Sequence, residues 1–140
     1  MDHVELFELH RKLAHDWIPV SVRKGMLKAL WNAILHHEQR LIDALARDLA
    51  KPTAEVHLNE IYPMKSEIRQ ATRHISGWTA PMPTPTPLAM TGTKSFIQHE
   101  PKGQVLIISP WNFPVILTLR PLVSAIAAGN RCIVKPSEHT

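Results

Sequence analysis

From residue 81 to residue 87 a proline stands at every second position: Pro81, Pro83, Pro85 and Pro87. No α-helix can run through that stretch, because each ring removes a backbone donor and clashes with the preceding turn. A central strand cannot hold it either. Alternation with small or apolar residues favours a stiff, polyproline-like path, so 81–93 reads as a connector rather than a core element. A Pro-rich ligand for a partner's aromatic groove is the weaker alternative, since this spacing is common in linkers.

The connector also separates two periodicities. Residues 1–80 read as a helical region. Leu6, Leu9 or His10, Leu13 and Trp17 recur at helical spacing, and Pro19 closes that segment. Ser21 can cap a second helix with the stripe Met26, Leu27, Leu30, Trp31 and Ile34. Leu41, Ile42, Leu45 and Leu49 continue it beyond His36-His37, as one bent helix or two. Thr53 is the expected cap of the next helix, in which Leu58, Ile61, Lys65, Ile68, Thr72 and Ile75 follow three-and-four spacing as far as Gly77. Pro63 predicts a kink near Tyr62.

Residues 94–140 are patterned differently. Lys94 to His99 alternates and Val105 to Ile108 is continuously apolar. The short Glu100-Pro101-Lys102-Gly103 between them predicts that these two strands pair antiparallel. Val115 to Ala128 is in helical order, Gly129-Asn130 is its stop, and Cys132-Ile133-Val134 reads as a buried strand. A strand, a crossover helix and a strand form a βαβ unit, which normally closes right-handed with parallel strands. The expected fold class is therefore α/β: N-terminal helices, a strand pair, then the first βαβ unit of a Rossmann-like sheet.

Ligands of such sheets bind beyond the carboxyl ends of the strands. Ser109-Pro110-Trp111-Asn112 and Lys135-Pro136-Ser137-Glu138 both leave strands at that edge. Asn112 offers an amide that could polarise a carbonyl oxygen becoming an oxyanion. Lys135 and Glu138 offer a cation and an acceptor for the hydroxyls of a ribose. Spacing alone favours a plainer account, with Asn112 capping the helix that starts near Phe113 and Lys135 and Glu138 as solvated loop charges.

Other chemistries fare worse. The net charge of +4 comes from 16 basic and 12 acidic residues. The basic ones, Arg11-Lys12, Arg23-Lys24, Arg69 and Arg73 among them, are scattered among acids and read as solvated helix faces, not a nucleic-acid footprint. No metal site is expected: His36-His37 project in different directions, and His99-Glu100 would need a histidine where Gly103 stands. The five glycines form neither a dinucleotide-binding loop nor a phosphate loop. A single cysteine, Cys132, excludes an internal disulfide and fits a reducing compartment. The start lacks the pattern of a secretory leader, and the charge-free run Gly103 to Leu119 is too short and too interrupted for a membrane span. A soluble, cytoplasmic chain is expected.

Pro101-x-Gly103-x-Val105, the run from Pro110 to Pro114, Ala127-Ala128-Gly129-Asn130 and Lys135-Pro136-Ser137-Glu138 occur in order. Together they resemble the aldehyde dehydrogenase superfamily, strongly over 100–140 and more weakly over the helices before. The stretch from Pro83 to Leu88 and Asn59-Glu60-Ile61 resemble the class 3-like branch, which includes coniferyl aldehyde dehydrogenases. The resemblance implies that Asn112 donates to the oxyanion of a thiohemiacetal. It also implies that Ile108, Ser109, Pro110 and Trp111 wall the cofactor site while Lys135 and Glu138 reach the adenosine ribose. The implied reaction oxidises a small-molecule aldehyde to an acid: a cysteine thiolate attacks, hydride passes to nicotinamide, and a glutamate-activated water releases the thioester. Glu138 favours NAD, because a carboxylate beside the ribose repels a 2′-phosphate, although NADP stays open in this branch. Neither the nucleophilic cysteine nor the general-base glutamate has a counterpart in these 140 residues, and Cys132 reads as a packed strand residue. The chain is thus expected to be an N-terminal piece, inactive alone, of an enzyme that is a homo-oligomer at full length. The rival is a catalytically dead, truncated relative that docks onto full-length subunits or another partner.

Overall fold

A computed structural model describes residues 2–13 and 16–140. Helix α1 spans His3–Leu13 and opens on a reciprocal cap, in which the Asp2 and Glu5 backbone N–H groups each donate to the other's carboxylate. Its expected continuation through residues 14 and 15 lies outside the described residues. At Trp17 the chain is not helical, and the indole lies under the Arg23 guanidinium, 4.8 Å from its ring centroid.

Helix α2, Val20–His36, starts directly after Pro19, so Ser21 lies within its first turn and caps nothing. Of the two arrangements open around His36-His37 the chain adopts the second. His37 (φ −103°) interrupts the helix, and α3 runs separately over Glu38–Leu49, ending at a left-handed Ala50. The next helix, α4 (Thr53–Val56), begins after Pro52, and Thr53 is its first residue rather than its cap.

The kink expected near Tyr62 takes another form. Residues His57–Ile61 make a π-helical turn, and α5 follows over Tyr62–Trp78 with Pro63 in its first turn. A proline there cannot donate to the turn before it, and the ladder widens instead of bending. The extra residue shifts the inward face: Leu58, assigned to the apolar stripe, is 64% exposed, whereas Glu60 is fully buried. Leu27, Ile34, Ile42, Val56, Met64 and Ile75 are core residues from this helical layer.

The expected strand pair forms with a different partner. β1 (Met82–Thr84) pairs antiparallel with β2 (Ser95–Ile97), Met82 opposite Ile97 and Thr84 opposite Ser95. Segment 94–99 therefore pairs with the proline stretch and not with Val105–Ile108, and part of the connector is strand. A three-residue strand in a two-stranded ribbon tolerates Pro83 because few ladder donors are needed. Gly92, at φ 95°, supplies the left-handed turn between them.

Strand β3 (Gln104–Ile108), helix α6 (Pro114–Ala128) and strand β4 (Arg131–Lys135) make the expected βαβ unit, parallel from Gln104 beside Arg131 to Ile108 beside Lys135. Gly129 ends α6 at φ 87°, and the buried Asn130 accepts a hydrogen bond from the Gly103 N–H at 3.0 Å. Helix α1 is tied to this sheet by Gln104 to the Phe7 carbonyl and Arg131 to the Leu13 carbonyl. Residue Ile107 is buried, while its neighbours Leu106 and Ile108 are 59% and 69% exposed, so one face of the sheet is bare.

Candidate functional site

The Ser109 N–H donates to the Lys135 carbonyl at 3.1 Å, which keeps β3 and β4 in register to their carboxyl ends. Segments 109–112 and 135–138 consequently emerge side by side, as the sheet topology requires. Ser109 is buried and its hydroxyl has no hydrogen-bond partner among the described residues, whereas Ile108, Pro110, Trp111 and Asn112 are exposed. The Lys135 ammonium donates to the Glu138 carboxylate. That hydrogen bond, with a backbone bond and the ammonium's charge, holds the Glu138 carboxyl below its ordinary range, which favours its carboxylate form.

Asn112 does not cap α6. Its carboxamide makes no hydrogen bond among the described residues and is left available at the strand edge. The donors at the start of α6 go elsewhere: the Val115 and Ile116 N–H groups both donate to Glu60 Oε2, at 3.0 and 3.1 Å. Pro114, at the helix start, has no N–H to satisfy. Glu60 Oε1 accepts from Lys51 Nζ at 2.5 Å, and the same ammonium donates to the Asn112 backbone carbonyl at 2.8 Å. It also sits 3.8 Å from the centroid of the Phe113 ring. Both charged groups are buried.

The far end of α6 is held the same way. Arg23 donates from Nη1 to the Ala127 carbonyl at 3.1 Å and from Nε to the Ile18 carbonyl at 2.6 Å. A buried cation at a helix C-terminus and a buried anion at its N-terminus both favour the helix dipole. Helix α6 carries neither an acid in its first turn nor a base in its last. Three residues that hold it were therefore missed in the sequence. Arg23, read as part of a solvated face, is 1% exposed. Lys51 was given no role by the sequence patterning, and Glu60 entered only within a family resemblance. The one available hint was a carboxylate set among the apolar positions of a helix.

Glu60 also fills the place where a helix N-terminus would otherwise receive a ligand's phosphate. Cys132 is half-buried in β4, and burial raises its thiol above the ordinary range, which suits packing rather than nucleophilic attack. Among the described residues no three His, Cys, Asp or Glu side chains are grouped to hold a metal ion. No helix among them is long and apolar enough to cross a membrane. A cavity of about 260 Å³ borders this edge, between Leu41 and Leu45 of α3, Thr118 of α6, and Pro136 and Thr140.

Known proteins share this arrangement. The model of the "Aldehyde dehydrogenase family" matches residues 10–140. A 4,4′-diaponeurosporen-aldehyde dehydrogenase of Staphylococcus aureus is 44% identical over 121 residues, 86% of this chain and 26% of that protein. Human aldehyde dehydrogenase family 3 member B1 is 42% identical over 120 residues, again 86% of this chain and 26% of the relative. A solved structure, the substrate-bound state of Staphylococcus aureus AldH, superposes with a TM-score of 0.89 at 38% identity, covering 99% of this chain and 31% of that one. The chain spans about a quarter of the length of the curated relatives it matches, in their amino-terminal part. With helices, strand pair and βαβ unit matched along nearly its whole length, the chain belongs to the aldehyde dehydrogenase family.

Proposed function

We propose that this segment contributes the oxyanion donor and the ribose-facing wall of an NAD(P)-dependent aldehyde dehydrogenase that oxidises an aldehyde to a carboxylic acid. The unspent carboxamide of Asn112, on a main chain fixed beside the strand ends, carries this reading. A donor already oriented before charge develops stabilises an oxyanion without reorganising. Ile108, Ser109, Pro110 and Trp111 form the adjoining cofactor wall. Lys135 and Glu138, already paired with each other, meet the adenosine ribose. Glu138 disfavours a 2′-phosphate, which makes NAD the preferred cofactor and NADP the weaker one. The nucleophile and the general base belong to the part of a product of the relatives' length that lies downstream of Thr140, since Cys132 is a packed strand residue. An aromatic aldehyde of the coniferyl type is one substrate compatible with the class 3-like resemblance. We place the enzyme in the cytoplasm, as a homo-oligomer.

The test has two parts. In a product of the relatives' length, Asn112→Ala should lower kcat on the order of 10²- to 10³-fold, while the 140-residue chain alone should form no NADH from an aldehyde. Unchanged kcat in Asn112→Ala, or turnover by the short chain, would remove the assignment. Intact mass of the natural product decides the second reading. A product of 15.8 kDa favours a catalytically dead docking relative, for which the bare face at Leu106 and Ile108 supplies a contact surface.

A further inference from the structure

Three hydrogen bonds from one buried ion pair bracket the segment that carries Asn112. Lys51 holds the Asn112 carbonyl on one side. Glu60 holds the Val115 and Ile116 N–H groups on the other, and the Lys51–Glu60 bond joins the two. The Phe113 ring between these anchors is seated on the ammonium. We propose that Lys51 and Glu60 are positioning residues for the oxyanion donor, fixing the main chain over 112–116 so that the Asn112 carboxamide is aimed before substrate arrives. This inference rests on the oxyanion reading given above.

Stability alone is a poor account of the pair. Burying two charges costs several kcal/mol per ion before their attraction is counted, and apolar side chains of similar volume often serve a core equally well. Directed hydrogen bonds to three particular backbone groups are what apolar side chains cannot supply. The π-helical turn at His57–Ile61 fits the same account: its extra residue is what turns Glu60 inward while Leu58 is turned out. Small errors in the placement of a reacting group are costly, up to on the order of 10²-fold for about 1 Å. Neither Lys51 nor Glu60 touches the substrate in this scheme. Each acts through the backbone of residues 112–116.

The decisive experiment uses a product of the relatives' length bearing Lys51→Met, Glu60→Gln, both together, and each of these in an Asn112→Ala background. Single variants leave one charge buried without its partner and are expected to melt lower. The double variant removes both charges and should recover most of the melting temperature. Its kcat should nevertheless remain about tenfold or more below the parent, with KM for aldehyde and cofactor nearly unchanged. In the Asn112→Ala background the double variant should cost nothing further, because the group being aimed is gone. Parental kcat in the stable double variant overturns the positioning role while leaving the oxyanion reading intact. Full additivity with Asn112→Ala overturns it too, by showing an effect that bypasses Asn112. Parental kcat in Asn112→Ala itself overturns the oxyanion reading and this inference with it.

Discussion

The side chain of Cys132 shows what burial does to one residue. Its thiol is pushed above the ordinary range by loss of solvent in β4. A group with a raised folded pKa adds stability that is fully present below the unfolded pKa and is lost as pH rises through the folded one. The thiolate is the nucleophile, so alkylation at Cys132 in the folded product should lag behind a free thiol at pH 8 and gain on it as pH rises. Peptide mass measurement at Cys132 after timed iodoacetamide treatment checks this; reaction at the free-thiol rate at pH 8 would show that the site is not packed. The packed role of Cys132 was legible from its apolar neighbours alone. The roles of Arg23, Lys51 and Glu60 were not, because each is defined by a partner far along the chain: Arg23 reaches residue 127, Lys51 residue 112, and Glu60 residues 115 and 116. Local patterning carries no record of such contacts.

Elements bounded by their own residues were readable, and elements bounded by others were not. Helix α6 ends where Gly129 says it must, and β4 begins just beyond it. The start of α6 was placed correctly to within a residue, although Glu60, and not the Asn112 cap that spacing alone favoured, takes its first donors. The pairing of β2 failed similarly. Alternation over 94–99 announces a strand, but nothing within it says whether β1 or β3 lies alongside. At the end of α6 two constraints coincide. Gly129 is left-handed, and a Cβ added there would lie 2.6 Å from Arg23 Cζ. Gly129→Ala should therefore destabilise a product of the relatives' length by about 1–3 kcal/mol and disturb the Arg23–Ala127 bond. Faster hydrogen exchange across residues 125–131, with α3 unaffected, is the expected signature; protection equal to the parent would mean that Arg23 moves aside at no cost.

At the scale of the whole segment, the helical layer has a continuous core and the sheet does not. Helix α6 covers one face of β3 and β4, and the other shows Leu106 and Ile108 to solvent. An open edge and a bare apolar face are prone to association. The isolated 140-residue chain is expected to bind a hydrophobic dye and melt broadly or aggregate. A sharp, cooperative melt with little dye bound would show that the sheet needs no further cover. The α/β class and the order of elements could be read from the switch between periods of 3.6 and 2. The extent of the bare face could not, because it depends on which strands are near in space.

That bare face has a bearing on how such a protein is born. In a product of the relatives' length this segment leaves the ribosome first, with almost three-quarters of the chain still to be made. At about 5–20 residues per second, translation of the remainder takes on the order of tens of seconds. Throughout that interval the β3–β4 sheet is complete enough to recruit strands but lacks its own. On a polysome, neighbouring nascent chains display the same unfilled edge at high local concentration. Correct maturation is then a race between the arrival of the chain's own next strand and capture by a neighbour, and the pace of translation after Thr140 becomes part of the folding problem.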